Sequence, residues 1–144
     1  MSKPTYDDAN LILRLYEMRR EDRMRKARAW FVANFKVTSF DELAKLAPAG
    51  SDENAYYRMV ITYWDMVASF INTGVLNQEL YYHSGRELLL VWERVKDVLP
   101  SIRERYQDPK YWAQLEIAGT EFGREFERQS GAQAYAAFLK RIGK

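Results

Sequence analysis

The sequence predicts an all-α protein: a single-domain bundle of five or six helices, with a long N-terminal helix and an aromatic-rich central one. Three observations carry this reading. Apolar residues recur at helical spacing along most of the chain, and serine or threonine capping signals precede several of those runs. No stretch alternates with the period of two that a half-buried strand requires. A chain of 144 residues, 47% hydrophobic and 29% charged, is large enough to bury a core without covalent staples.

Thr5-x-x-Asp8 has the form of a capping box, with Asp7 and Asp8 in the first turn where the helix dipole favours carboxylates. It predicts a helix over about residues 6 to 35 whose apolar side is Leu13, Tyr16, Met24, Ala27, Phe31 and Phe35. Ser39-x-x-Glu42 opens a short helix that stops before Pro48, and "APAGSDEN" is a loop. A helix over about 53 to 72 ends at Gly74, a residue suited to the position just past a helix. Its polar residues, Asn54, Arg58, Thr62, Asp65, Ser69 and Asn72, fall on one stripe. The remaining arc is so wide that this helix must pack on several sides, which places it at the centre.

"NQELYY" predicts a single helical turn. Ser84-x-x-Glu87 is expected to cap the next helix, with Leu88, Val91, Trp92, Val95 and Leu99 facing inward. Pro100 kinks or ends it, and "SIRERY" continues in a new direction. Asp108-Pro109 is a helix-start signal for a stripe of Tyr111, Leu115, Ala118, Phe122 and Phe126. Gly119-x-x-x-Gly123 in that stretch reads as a terminator rather than a close-packing motif, and a final helix uses Tyr135, Phe138, Leu139 and Ile142.

Composition bounds the chemistry. The chain has no cysteine, which excludes disulfides, thiolate metal sites and cysteine nucleophiles. A net charge of +2 is well short of the basic excess that marks a nucleic-acid binder. The N-terminal "MSKPTYDDAN" has no apolar core of a signal peptide, and the longest apolar stretch, "MVITYWDMVASFI", is interrupted by Asp65. A soluble cytoplasmic protein without membrane insertion is expected.

Four segments in order, "EMRREDRMRKARAWF", "TYWDMVASFINTGVLNQELYY", "LLLVWERVKDVLPSIRE" and "DPKYWAQLE", carry a resemblance to a known family. The sequence resembles a bacterial domain family of unknown function, a small cytosolic helical module that often follows a membrane helix; no such helix is present in these 144 residues. The resemblance covers about residues 6–118, on a pattern of apolar and aromatic anchors, and leaves 119–144 as a helical extension of one domain spanning 1–144. It implies the fold and brings no activity, cofactor or catalytic residue.

Candidate functional residues are few. "RREDRMRKAR", residues 19–28, holds six basic and two acidic side chains. On a continuous helix Arg19, Arg23 and Lys26 share a face and form the candidate patch for an anionic partner. Glu21 and Asp22 stand four residues before Arg25 and Lys26, so the stretch is partly self-neutralised and reads mainly as a solvated face. Arg20 falls within the predicted apolar stripe and needs a carboxylate, with Asp65 the first candidate and Glu93 the second.

His83, the only histidine, lies four residues after Glu79, but one histidine cannot complete a di-iron or zinc-protease set, so no metal or cofactor site is expected. No Gly-rich phosphate loop and no nucleophile–base pairing is present, which predicts no catalytic residues. What remains is binding. The surplus arc of the central helix, Tyr57, Ile61, Trp64 and Phe70, marks a protein-interaction or homodimer face. Weak nucleic-acid or anionic-partner binding through the basic face is the alternative.

Overall fold

A computed structural model describes residues 3–144. Met1 and Ser2, the start of the predicted 1–144 domain and of the stretch read as carrying no signal peptide, lie outside the described residues. These form nine helices: α1 (Tyr6–Arg19), α2 (Asp22–Asn34), α3 (Phe40–Leu46), α4 (Asp52–Asn72), α5 (Gln78–Tyr82), α6 (Arg86–Val95), α7 (Leu99–Tyr106), α8 (Ala113–Ser130) and α9 (Ala132–Arg141). The fold class is as predicted, but the count of five or six is too low. Three helices of eight residues or fewer (α3, α5 and α7) stand apart, and the expected long first helix is two.

The division of the first helix has a physical cause. Leu15 is buried on α1, and Met24, Ala27 and Phe31 are buried on α2. Leu15 and Met24 are nine residues apart, which puts them on opposite sides of a continuous helix at about 100° per residue. Both reach the core only because the chain turns between them. Arg20 closes α1, and Glu21, extended at φ −58° and ψ 145°, opens α2 by accepting the Met24 N–H with its side chain at 3.1 Å. Leu13 and Tyr16, expected on the buried stripe, are exposed as a result.

α4 is the centre of the domain, as its apolar arc predicts. It packs chiefly against α2 and α8 and also touches α6; α8 in turn packs on α6 and α9, and α3 on α7. One core cluster runs from Leu15 through Phe31, Trp64, Leu89 and Leu115 to Phe138 and Ile142. Ser51 caps α4 by accepting the Asn54 N–H, and Gly74, at φ +83°, follows its end. The Thr5–Asp8 capping box is present, and Asp8 also accepts the Asn77 N–H at 2.8 Å, tying α1 to the start of α5.

Three sequence signals fold differently. Ser84-x-x-Glu87 does not cap α6: Gly85 holds that position without a side-chain bond, and Glu87 is drawn into an ion pair with Arg28. Asp108-Pro109 forms a turn closed by the Lys110 N–H on Asp108 at 3.0 Å, and α8 starts later, after Trp112 in a left-handed conformation. Gly119 and Gly123 do not terminate anything. Both are buried within α8, and a β-carbon at Gly119 would lie 2.3 Å from Cγ of Trp92. They are the close-packing motif of α8 against α6 and α9.

A candidate binding cleft

The residues singled out from the sequence separate in space. Arg20 is exposed, its guanidinium 5.2 Å from the centre of the Tyr16 ring. Asp65 instead accepts the Leu115 N–H at 2.9 Å and so caps α8, which has no cap of its own from the adjoining chain. Burial pushes the Asp65 carboxyl up, and the N–H groups of Leu115 and Gln114 hold part of that rise back. No ion pair joins Arg20 to Asp65 among the described residues, so that expectation is corrected. Arg20 needs no carboxylate because the helix turn leaves it in water. Glu93, the second candidate, is buried and binds Lys96 and the Tyr135 hydroxyl.

The candidate interface on α4 is also corrected. Tyr57, Ile61 and Trp64 are buried inside the protein's own core, with Phe70 half-buried beside it. Neighbouring α2, α6 and α8 cover the surplus arc. The basic patch is dispersed by the same turn that splits the first helix: Arg23 and Lys26 are exposed on α2, while Arg19 is folded inward. His83 and Glu79 are exposed. Among the described residues no group of three or more His, Asp or Glu side chains is placed to hold a metal ion.

Sequence reasoning missed what Arg19 folds into. Between α1, α4 and α5 lies a cleft of about 300 Å³, to which α1 contributes Leu13, Tyr16 and Arg19, α4 contributes Tyr63 and Trp64, and α5 contributes Tyr81. Each wall is fixed by a specific contact. The Tyr63 hydroxyl donates to the Leu15 carbonyl and pins α1 over α4. Tyr81 lies against the backbone of Gly85, where a β-carbon would meet the ring at 2.1 Å, so only glycine fits there. Burial pushes the Tyr63 hydroxyl up to about 12 and the Tyr81 hydroxyl higher still, so both are neutral donors at physiological pH.

Arg19 lies between two rings, 5.2 Å from that of Tyr16 and 5.9 Å from that of Trp64. Its Nη1 is 3.7 Å from Glu87, which also binds Arg28 at 2.6 Å. Two guanidiniums thus share one carboxylate. Among the described residues two buried donors here have no hydrogen-bond partner, the Arg19 Nε and the Trp64 Nε1. A second, larger depression between α3 and α7, about 680 Å³, is shallow, and its Ser101 hydroxyl is already engaged by the Phe40 N–H at 2.8 Å. The signal that could have located the cleft is the i, i+3 pairing of Tyr16 with Arg19.

The fold and the cleft define a small all-helical domain with an aromatic recess of ligand size beside a cationic group. The chain belongs to the DUF4760 family, a domain of unknown function, whose model matches residues 4–120. No curated protein and no solved structure matches it. The match ends inside α8, so the segment beyond it is continuous with the family core: it completes α8 and adds α9. Among the described residues no helix is long and apolar enough to cross a membrane.

Proposed function

We propose that this domain is a non-catalytic cytoplasmic interaction module that pairs with a second copy of itself through α1. The observation that carries the reading is the exposure of α1. Of its fourteen residues only Asp8 and Leu15 are buried, while Tyr6 is 90% exposed, Leu13 59% and Tyr16 45%. These three fall within one face of the helix, a ridge of apolar side chains on an element that has little other packing.

The spacing of the ridge suits a two-fold. Tyr6, Leu13 and Arg20 are seven residues apart, two turns each, and share a face. An antiparallel pairing of two α1 helices centred on Leu13 sets Tyr6 of each copy against Arg20 of the other. Arginine over tyrosine is a favourable pair, and a closed two-fold repeats it. A single helix pair is a small interface, so the association is weak and depends on concentration. Nucleic-acid binding through Arg19, Arg23 and Lys26 loses support because those residues do not form one surface.

Sedimentation equilibrium between micromolar and millimolar protein tests the proposal. The mass is expected to rise from 17.0 kDa towards twice that value, and Tyr6→Ser or Arg20→Glu is expected to hold it at the monomer. A mass that stays at 17.0 kDa throughout overturns it.

A further inference from the structure

We propose that the cleft between α1, α4 and α5 binds a small organic anion: an apolar body ending in a carboxylate that pairs with the Arg19 guanidinium. This goes beyond self-association: the two surfaces share Leu13 and Tyr16, but Tyr6 and Arg20 belong only to the pairing and Arg19 only to the cleft.

Two features converge on that chemistry.

The first feature is charge. Arg28 donates to Glu87 from two nitrogens, at 2.7 and 2.6 Å, and so takes both carboxylate oxygens. Arg19 is left with only a 3.7 Å approach to one of those oxygens. Its positive charge is thus incompletely neutralised beside an apolar wall, where an anion gains more than a neutral acceptor. An ammonium group would meet repulsion instead.

The second feature is the lining and size. Leu13, Tyr16, Tyr63, Trp64 and Tyr81 give the cleft a mainly apolar wall, and about 300 Å³ is at the lower end of small-molecule sites. This room suits a medium-chain or aryl carboxylate. The walls are also pre-formed: Tyr63 is anchored on Leu15 and Tyr81 on Gly85, so binding demands little ordering of these side chains.

The test titrates the intact protein with octanoate, 1-octanol and octylammonium, three probes with one body and different head groups. Calorimetry gives affinity, and the indole N–H signal of Trp64, whose ring lies against Arg19, reports on binding beside it. The Trp64 signal is assigned by its loss in Trp64→Phe. Octanoate is expected to bind saturably, to move the Trp64 Nε1–H signal, and to bind at least about tenfold more tightly than octanol, with octylammonium weakest. Arg19→Met is expected to cut octanoate affinity about tenfold or more.

Thermal unfolding confirms that the variants remain folded. The inference is overturned if octanol binds as well as octanoate, if octanoate saturates without moving the Trp64 signal, if Arg19→Met retains full affinity, or if nothing binds at low millimolar probe. Because the proposed pairing also covers Leu13 and Tyr16, the titrations use protein dilute enough to be monomeric. There Tyr6→Ser, which lines no part of the cleft, is expected to bind octanoate normally, so loss of pairing and loss of ligand are read separately.

Discussion

Arg28 and Glu87 close a two-bond clasp across the protein, with Arg28 Nε and Nη2 donating to the two carboxylate oxygens at 2.7 and 2.6 Å. The remaining nitrogen of Arg28 donates to the Arg19 carbonyl at 3.1 Å, at the end of α1. One side chain on α2 therefore fixes the start of α6 and satisfies a carbonyl that the helix turn leaves open. The basic stretch at residues 19–28 is in part structural: Arg19 and Arg28 face inward, while Arg20, Arg23, Arg25 and Lys26 face solvent.

Glu87→Gln is expected to destabilise the domain by about 1–2 kcal/mol, between the values of exposed and fully buried pairs, because both partners are partly shielded from water. Arg28→Met added to that variant should cost little more than either change alone, since the two residues act as one unit. Urea denaturation of the four proteins measures the coupling. Fully additive losses would mean that the clasp contributes nothing of its own.

A sharper contrast is expected at the two buried glycines of α8. At Gly119 a new β-carbon would meet the Cβ, Cγ and Cδ1 of Trp92, all within 2.5 Å. Those atoms lie near the Trp92 backbone and cannot swing aside. Gly119→Ala should therefore cost about 1–3 kcal/mol despite the better helix propensity of alanine. At Gly123 the nearest atom is the Tyr135 hydroxyl at 3.1 Å, the far end of a side chain that need give only a few tenths of an ångström, against the resistance of its bond to Glu93. Gly123→Ala should fall within about 1 kcal/mol of neutral, the clash and the propensity gain roughly cancelling. Thermal unfolding of the two single variants separates them.

Arg94 is buried and, among the described residues, bonds only to carbonyls: Val32 and Phe35 at 3.0 and 3.1 Å near the end of α2, and Ile142 at 2.7 Å after α9. Arg94→Met would leave these acceptors buried and unpaired. A loss of about 2–4 kcal/mol is expected, seen as a lower urea midpoint with an unchanged slope. Arg94→Lys should recover only part of it, since one ammonium group cannot span both helix ends.

Features written in neighbouring residues were legible in the sequence. The Thr5–Asp8 box, the Ser39 cap and Gly74 at the end of α4 each depend on residues within a turn of one another. Features that depend on distant contacts were not. Asp65 caps α8 from fifty residues away, and Glu87 abandons a local cap for a partner fifty-nine residues away. The turn at Arg20–Glu21 carries no glycine or proline, so only the conflict in phase between Leu15 and Met24 signals it. That conflict hid the cleft, because a continuous first helix would have turned Leu13 and Tyr16 into the core and Arg19 into solvent.

The attachment of α1 is expected to depend on pH through Asp8. Its carboxylate accepts the N–H groups of Thr5 and Asn77, both at 2.8 Å, and these bonds hold its pKa below the ordinary 3.8. A group whose pKa is depressed by folding stabilises the fold above its unfolded value, and that contribution disappears as pH falls through the folded value. The tether between α1 and the start of α5 should thus be intact at neutral pH and released in acid, below about pH 3.8. Because α1 is held by few other buried groups, its release should precede loss of the core. Amide exchange, corrected for its intrinsic pH dependence, should show residues 6–19 losing protection before residues 52–72. Asp8→Asn, which cannot titrate, should flatten that dependence in α1. An α1 that stays as protected as α4 into strong acid would show that Asp8 does not hold the helix in place.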